Sequence, residues 1–222
     1  MQDPKYKKNW STSLSNEFGR LANMVGSRIK NPTNTIKFIR NKDVPISRRK
    51  DVTYGSFVCN VRNEKAEKNR TRFVVGGNII NYPGEVATPT VDMLVAKLLF
   101  NSVVSTRNAK FMTMDISSFY LMKTLKRPEY IHISIKDIHD KIINKYKLRD
   151  IEDNNGSVYI ESNCGMYGLP QAGLLANKLL EKRLNKRGYQ QSKLVPGLWT
   201  HNWIPVLFTL VVDDFGVKYV GE

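Results

Sequence analysis

The sequence predicts an α+β fold, on three observations. Apolar residues recur at helical spacing in three stretches: Leu14, Phe18, Leu21 and Val25; then Val91, Leu94, Val95, Leu98 and Leu99; then Ala172, Leu175, Ala176 and Leu179. Runs of strand formers mark Thr35 to Ile39, Asp51 to Arg62, Arg70 to Val75, Phe111 to Ile116 and Phe208 to Val220. In the last of these, Asp213 and Asp214 interrupt two short strand patterns, which reads as the turn of a β-hairpin. Two carboxylates held close repel, and one tends to take up a proton. A hard divalent cation removes that penalty, since Mg²⁺ accepts carboxylate oxygens as ligands.

The chain has 222 residues, 41% of them hydrophobic, enough for one large domain or two small ones. Its net charge is +15 and its pI about 9.8. A balance this basic points to a polyanionic partner. The longest apolar stretches, such as Ile204 to Val212 with Pro205 and Thr209 inside it, are too short to span a bilayer. Met1 to Trp10 is polar and lacks the apolar core of a signal peptide. Cys59 and Cys164 make no disulfide framework, so an intracellular protein with reduced thiols and no membrane partner is expected. With His132, His139 and His201, these cysteines show no zinc-ligand spacing.

In chain order, residues 1–34 read as a polar lead-in and an amphipathic helix ending near Gly26, with a break at Asn31-Pro32. Residues 35–87 read as a small antiparallel subdomain of three strands. Arg48, Arg49, Lys50, Arg62, Lys65, Lys68, Arg70 and Arg72 all fall there with few acids between them, as a nucleic-acid-binding face requires. Gly76-Gly77 lacks the surroundings of a phosphate loop and reads as a bend. Residues 88–222 open with Thr88-Pro89 as a helix start, and that helix should face the core as far as Val104. A strand ending in Asp115 follows, then Phe119 and Tyr120, an extended piece at Pro128 to Ile135, and a short helix within Asp137 to Arg149. Asp153 to Gly156 is a turn leading into a strand at Val158 to Glu161. The glycine-punctuated loop Gly165-Met166-Tyr167-Gly168-Leu169-Pro170-Gln171-Ala172-Gly173 leads into a helix from Gln171 to Arg187, ended by basic residues and Gly188. Pro196-Gly197 is a turn, Trp199 to Trp203 is strand-like, and the Asp-Asp hairpin closes the chain.

The order Asp115, then the Tyr167-Gly168-Leu169-Pro170-Gln171 loop, then Val212-Asp213-Asp214 resembles the palm of reverse transcriptases. The wording is most similar to the copia-type long-terminal-repeat retrotransposons, from about Trp10 onward. The resemblance implies a polymerase palm, an antiparallel sheet packed on helices, with residues 35–87 as a strand-rich fingers subdomain and no thumb. It implies template-directed nucleotidyl transfer, with Asp115, Asp213 and Asp214 as catalytic acids. Two Mg²⁺ or Mn²⁺ ions would be held by these acids and the carbonyl of Ile116. Arg72, Tyr120 and Gln171 would contact the incoming deoxynucleoside triphosphate, Tyr120 by excluding a 2′-hydroxyl. A primer–template of RNA and DNA would be the second partner. Val211 stands where the family has tyrosine, and Gly173 where it has proline. By the same resemblance, the thumb, ribonuclease H, integrase and protease parts of a polyprotein are expected but have no counterpart here. Two other readings fit the residues: an inert retroelement remnant that only binds nucleic acid, and a metal-dependent nuclease. The nuclease lacks a well-placed general base.

Overall fold

The structure, a computed structural model, describes residues 4–22 and 32–221. It is mixed α+β, with two five-stranded sheets, and it divides into two compact units. The chain up to Pro83 and Leu121–Ala172 form the first; Gly84–Tyr120 and the chain from Gly173 form the second. Among the described residues no helix is long and apolar enough to cross a membrane.

In the first unit are helix α1 (Pro4–Leu21), strands β1 (Ile36–Ile39), β2 (Thr53–Val61) and β3 (Asn69–Val75). The second unit holds helix α2 (Met93–Val104) and strand β4 (Ala109–Asp115). The chain then returns to the first unit with β5 (Thr124–Ser134), helix α3 (Asp140–Tyr146) and β6 (Ser157–Cys164). Helix α4 (Ala172–Asn185) leads back to the second unit, followed by β7 (Tyr189–Gln191), β8 (Leu198–His201), β9 (Val206–Val211) and β10 (Asp214–Val220).

The first sheet runs β1-β6-β5-β2-β3. The expected split at residue 87 therefore fails as a spatial division. β1 pairs with β6 from Ile36 opposite Ser162 to Ile39 opposite Tyr159. β2 pairs in parallel with β5 at Thr53–Ile131 and Tyr54–His132. Only the β2–β3 hairpin is local. Local alternation marks a strand but carries no record of a partner a hundred residues away.

The core of this unit centres on Phe18 of α1. Its ring lies 5.9 Å from Phe38, 5.8 Å from Phe57 and 5.6 Å from Phe73. α1 also finishes the sheet. β3 is an edge strand, and its outward amides find partners that are not strands. Thr71 N donates to Ser13 Oγ at 2.7 Å, Phe73 N to Glu17 Oε1 at 3.0 Å, and Val75 N to the Tyr167 carbonyl at 2.8 Å. Side chains four apart on a helix rise about 6 Å, and every second strand residue advances about 6.8 Å. Ser13 and Glu17 thus match Thr71 and Phe73. Helix α1 is described as far as Leu21 and the described residues break off after Ala22, so the expected end near Gly26, with Val25 and Asn31, lies outside them.

Burial pushes the Glu17 carboxyl above its ordinary value, against the pull of Arg20, the Phe73 amide, Arg70 and Arg72. Burial thus opposes the charged form of Glu17 in the folded chain, so a neutral side chain of the same shape is tolerated. We expect Glu17→Gln to stay within about 1 kcal/mol of wild type, because it keeps the acceptor for Phe73. Glu17→Ala should cost about 1–3 kcal/mol, from a buried amide left bare. Equal losses for both variants in urea melts would show that charge, not the acceptor, is what β3 needs.

The second sheet runs β4-β10-β9-β8-β7, antiparallel throughout. Trp199, Phe208, Leu210, Phe215 and Val217 form its core, with Leu180 and Leu184 of α4 packed against it. α4 follows the expected helix closely and ends before Gly188, whose φ of 86° suits glycine. α2 departs from expectation. It starts at Met93 rather than Thr88, because Asp92 caps it: Oδ1 accepts from Leu94 N at 2.7 Å. Nor does it face the core. Leu99 is buried, but Leu94 and Leu98 are exposed. Its C-terminal end is also fastened by Lys218, whose ammonium donates to Ser102 O and Oγ and to Thr106 Oγ1 at 3.1, 3.1 and 2.7 Å. Periodicity identifies an apolar face but not what covers it.

Candidate active site

The register of the second sheet gathers the acids. β10 pairs with β4 from Ala109 opposite Val220 to Asp115 opposite Asp214. Residues paired across adjacent strands face the same side with Cβ atoms about 5 Å apart. β9 pairs with β10 up to Val211 opposite Asp214, leaving Val212-Asp213 as a two-residue turn. The turn is thus one residue earlier than the Asp213-Asp214 turn expected from the sequence, and Asp214 already belongs to β10. Val212 has φ 60°. A β-branched residue in the left-handed region is an outlier, and such strain persists only where the surroundings impose it. Here the turn is tied down by Ile116 N, which donates to the Asp213 carbonyl at 3.1 Å.

Asp213 is half-buried, while Asp115 and Asp214 are exposed. The Asp213 carboxyl is pushed above its ordinary value. Burial is the largest cause. The charges of Asp115 and Asp214 and a side-chain hydrogen bond to Asp115 act in the same direction, while a bond to its own backbone opposes them. Two carboxyls sharing a hydrogen bond need either a proton or a cation between them. Among the described residues no three His, Cys, Asp or Glu side chains stand together ready to hold a metal ion. The donors that do meet are hard carboxylate oxygens, the type Mg²⁺ and Mn²⁺ prefer. That chemistry fits the expected cation.

Tyr120 also lies in the second unit, on a 3-10 turn at Phe119–Met122, with its ring 5.6 Å from Phe119. A Cβ at Gly173 would lie 3.7 Å from its ring and 2.7 Å from Thr88 Oγ1. Gly173 therefore has a local reason: Thr88 occupies the space a Cβ would need.

The other expected residues belong to the first unit, and they separate into two groups. Arg62, Arg70 and Arg72 cluster. Arg70 and Arg72 are alternate residues of β3, opposite Asn60 and Val58, and alternate residues share a face. Burial, then the charges of Arg72 and Arg62, lower the Arg70 pKa from its ordinary value. The Arg72 guanidinium lies 5.1 Å over the Tyr167 ring. The buried Nε atoms of Arg62 and Arg72 have no hydrogen-bond partner. Crowded cations suit a phosphate. Arg49, Lys50, Lys65 and Lys68 are exposed, as expected of such a face.

Arg48 and Gln171 behave differently. Arg48 pairs with Glu129 at 2.6 Å and with Asp51 at 2.9 Å, and stacks on Tyr130 at 5.4 Å. Gln171 is 1% exposed, and its Nε2 donates to Glu129 Oε1 at 3.1 Å. Both were expected to meet nucleotide or nucleic acid. Both are instead turned toward Glu129, a fully buried carboxylate that needs donors, and Arg127 supplies another at 3.1 Å. Neither side chain is offered to a ligand in this arrangement. Sequence reasoning missed Glu129 and Glu17. The available signal was an acid inside an apolar pattern, in Tyr130-Ile131-Ile133 for one and Leu14-Phe18-Leu21 for the other.

No protein-family model and no curated protein matches this chain.

Proposed function

We propose that this chain is a reverse-transcriptase-type domain of a copia-type retrotransposon, an RNA-directed DNA polymerase. One observation carries the reading: Asp115 stands opposite Asp214 across paired strands, with Asp213 on the strained turn beside them. Asp115 and Asp213 would hold the divalent cations, with Asp214 and the Ile116 carbonyl as further ligands. Bound there, such cations would supply Lewis acidity to a primer 3′-hydroxyl and to the departing pyrophosphate.

The chain's own residues do the rest. The turn holds Asp213 where it loses solvent and faces the charges of Asp115 and Asp214, so a cation beside it would relieve that repulsion. Arg72, held on Tyr167, binds phosphate oxygens with the geometry of a rigid fork. Arg62 and Arg70 add charge beside it. Tyr120 excludes a ribose 2′-hydroxyl. Gln171 supports the loop through Glu129 rather than touching substrate. The partners are a primer–template and deoxynucleoside triphosphates, and the remaining polymerase and polyprotein parts act with this domain inside the cell.

The test is primer extension on RNA and DNA templates with Mg²⁺ or Mn²⁺. Template-directed addition of deoxynucleotides supports the reading, and its absence under every condition where the chain binds primer–template rejects it. The burial of Gln171 favours a second reading, an inert chain that only binds nucleic acid, which that same negative result would select.

Two further results are expected. Binding to single-stranded RNA and DNA should show little sequence preference and fall steeply with salt, about 0.7 in log–log slope for each phosphate neutralised. A flat salt dependence would remove the arginine cluster as a phosphate site. Tyr120→Ala should raise ribonucleotide use more than it lowers deoxynucleotide use, a difference built by a clash. If kcat/KM falls equally for both nucleotides, Tyr120 is a packing residue.

A further inference from the structure

The second unit carries an aromatic residue that nothing in the acid site uses. Trp203 is 75% exposed, whereas Trp199, four residues earlier, is buried in the sheet core. Exposed, the indole is nevertheless held. Its ring stands edge-on to His201 at 4.8 Å, and His201 in turn stands edge-on to Tyr189 at 4.6 Å. His201 Nδ1 faces two backbone donors, Trp203 N at 3.3 Å and Ile204 N at 3.1 Å. Nδ1 must therefore accept, which leaves Nε2 as the protonated nitrogen, donating to the Arg187 carbonyl at 2.9 Å. A Cβ on Gly188 would come within 3.1 Å of both the Trp203 ring and His201. The histidine thus ties the β8–β9 turn to the end of α4 and fixes the indole there.

The end of α4 is where cations gather. From residue 178 to 187 the chain carries Lys178, Lys182, Arg183, Lys186 and Arg187 against one acid, Glu181. Lys178 pairs with Glu85 at 3.7 Å. Lys182, Lys186 and Arg187 are exposed.

The geometry points to a docking surface for single-stranded nucleic acid at this end of the second unit: one unpaired base stacks on Trp203, and its flanking phosphates lie against Lys182, Lys186 and Arg187. A fixed aromatic face beside a run of cations is what sequence-tolerant single-strand binding requires, since every base has a π-face and every linkage a charge. A duplex hides its base faces. A bilayer surface would want a broad apolar area, and here the indole and Ile204 stand beside polar Asn202 and the cationic helix end. The chain's net charge of +15 favours a polyanion over a protein partner. The inference does not depend on the acids or on polymerase activity, so a failure to extend primers leaves it standing.

The experiment uses the full chain and two fluorescein-labelled 12-residue DNA strands, one of thymidines and one abasic with the same phosphates. Trp203→Ala should weaken binding of the thymidine strand about fivefold or more and leave the abasic strand within about twofold. Trp203→Phe should restore most of the loss. Lys182→Ala with Lys186→Ala should weaken both strands and lower the salt slope by about 1.4. In the unaltered chain the thymidine strand should quench indole emission more than the abasic one, a readout needing no variant. Equal losses on both strands, no difference in quenching, Trp203-dependent binding to phosphatidylserine vesicles in preference to the thymidine strand, or Trp203-dependent self-association would each overturn the proposal.

Discussion

Asp213→Asn is expected to abolish primer extension, by at least about a hundredfold, while leaving the fold slightly more stable at neutral pH. The two effects have one cause. Asp213 loses solvent and faces the charges of Asp115 and Asp214, so its carboxyl is pushed above the ordinary 3.8. A carboxyl raised in the folded state contributes stability that is fully present below its unfolded value and is lost as pH rises through its folded one. At neutral pH the wild-type chain therefore carries the repulsion between Asp213 and its two neighbours, and the asparagine variant keeps only that between Asp115 and Asp214. Pairs of charges near the surface are worth roughly 0.2–1 kcal/mol, and solvent screening of these partly exposed groups keeps the effect toward the small end. In a chain of this size that is a rise in Tm of about 1–3 °C. The gain should shrink as pH falls toward the carboxylate range, where wild type becomes protonated too. Mg²⁺ should raise the Tm of wild type and not that of the variant. A variant that loses activity and stability together at every pH would mark Asp213 as a structural residue instead.

Glu129→Ala should be the most damaging single substitution in the first unit. Glu129 is fully buried and accepts from Arg48 at 2.6 Å, Arg127 at 3.1 Å and Gln171 at 3.1 Å. Removing one partner of a buried pair leaves the other charge uncompensated and costs about 3–5 kcal/mol. The corresponding fall in Tm is about 6–20 °C. Arg48 would lose its main partner on β5 while keeping Asp51, so the chain between β1 and β2 should loosen first in hydrogen exchange. A fall below about 2 °C would show that Arg48 and Gln171 find solvent or other acceptors easily, and would reopen both as ligand-facing residues.

Much of the second sheet was legible in the sequence because its signals are local. The strand to Asp115, the helix from Gln171 and its end at Gly188 all follow from patterns a few residues long. The turn was misplaced by one residue because turn chemistry favours Asp over valine, and Val212 takes a positive φ that propensity argues against. A position that breaks a local rule in this way is where a functional site is expected. The first unit was harder. Its β2–β5 pairing is parallel and its β1–β6 pairing joins residues far apart, so neither leaves a mark on the intervening chain. The exposed α2 face and the misassigned Arg48 and Gln171 share one reason. Residue type says what a side chain can bond to, not which partner lies within reach.

By itself, then, the sequence determined the α+β class, the strong positive charge, the strand end that carries Asp115, the hairpin that carries Asp213 and Asp214, and the basic hairpin from Arg62 to Arg72. These rest on residue type and short-range periodicity. Only the tertiary structure decided that Asp115 stands opposite Asp214, that Asp213 sits in the turn, that Arg72 lies over Tyr167, and that Glu129 draws Arg48 and Gln171 inward. These depend on strand register and burial, which emerge when distant segments compete for the same core and the same hydrogen-bond partners.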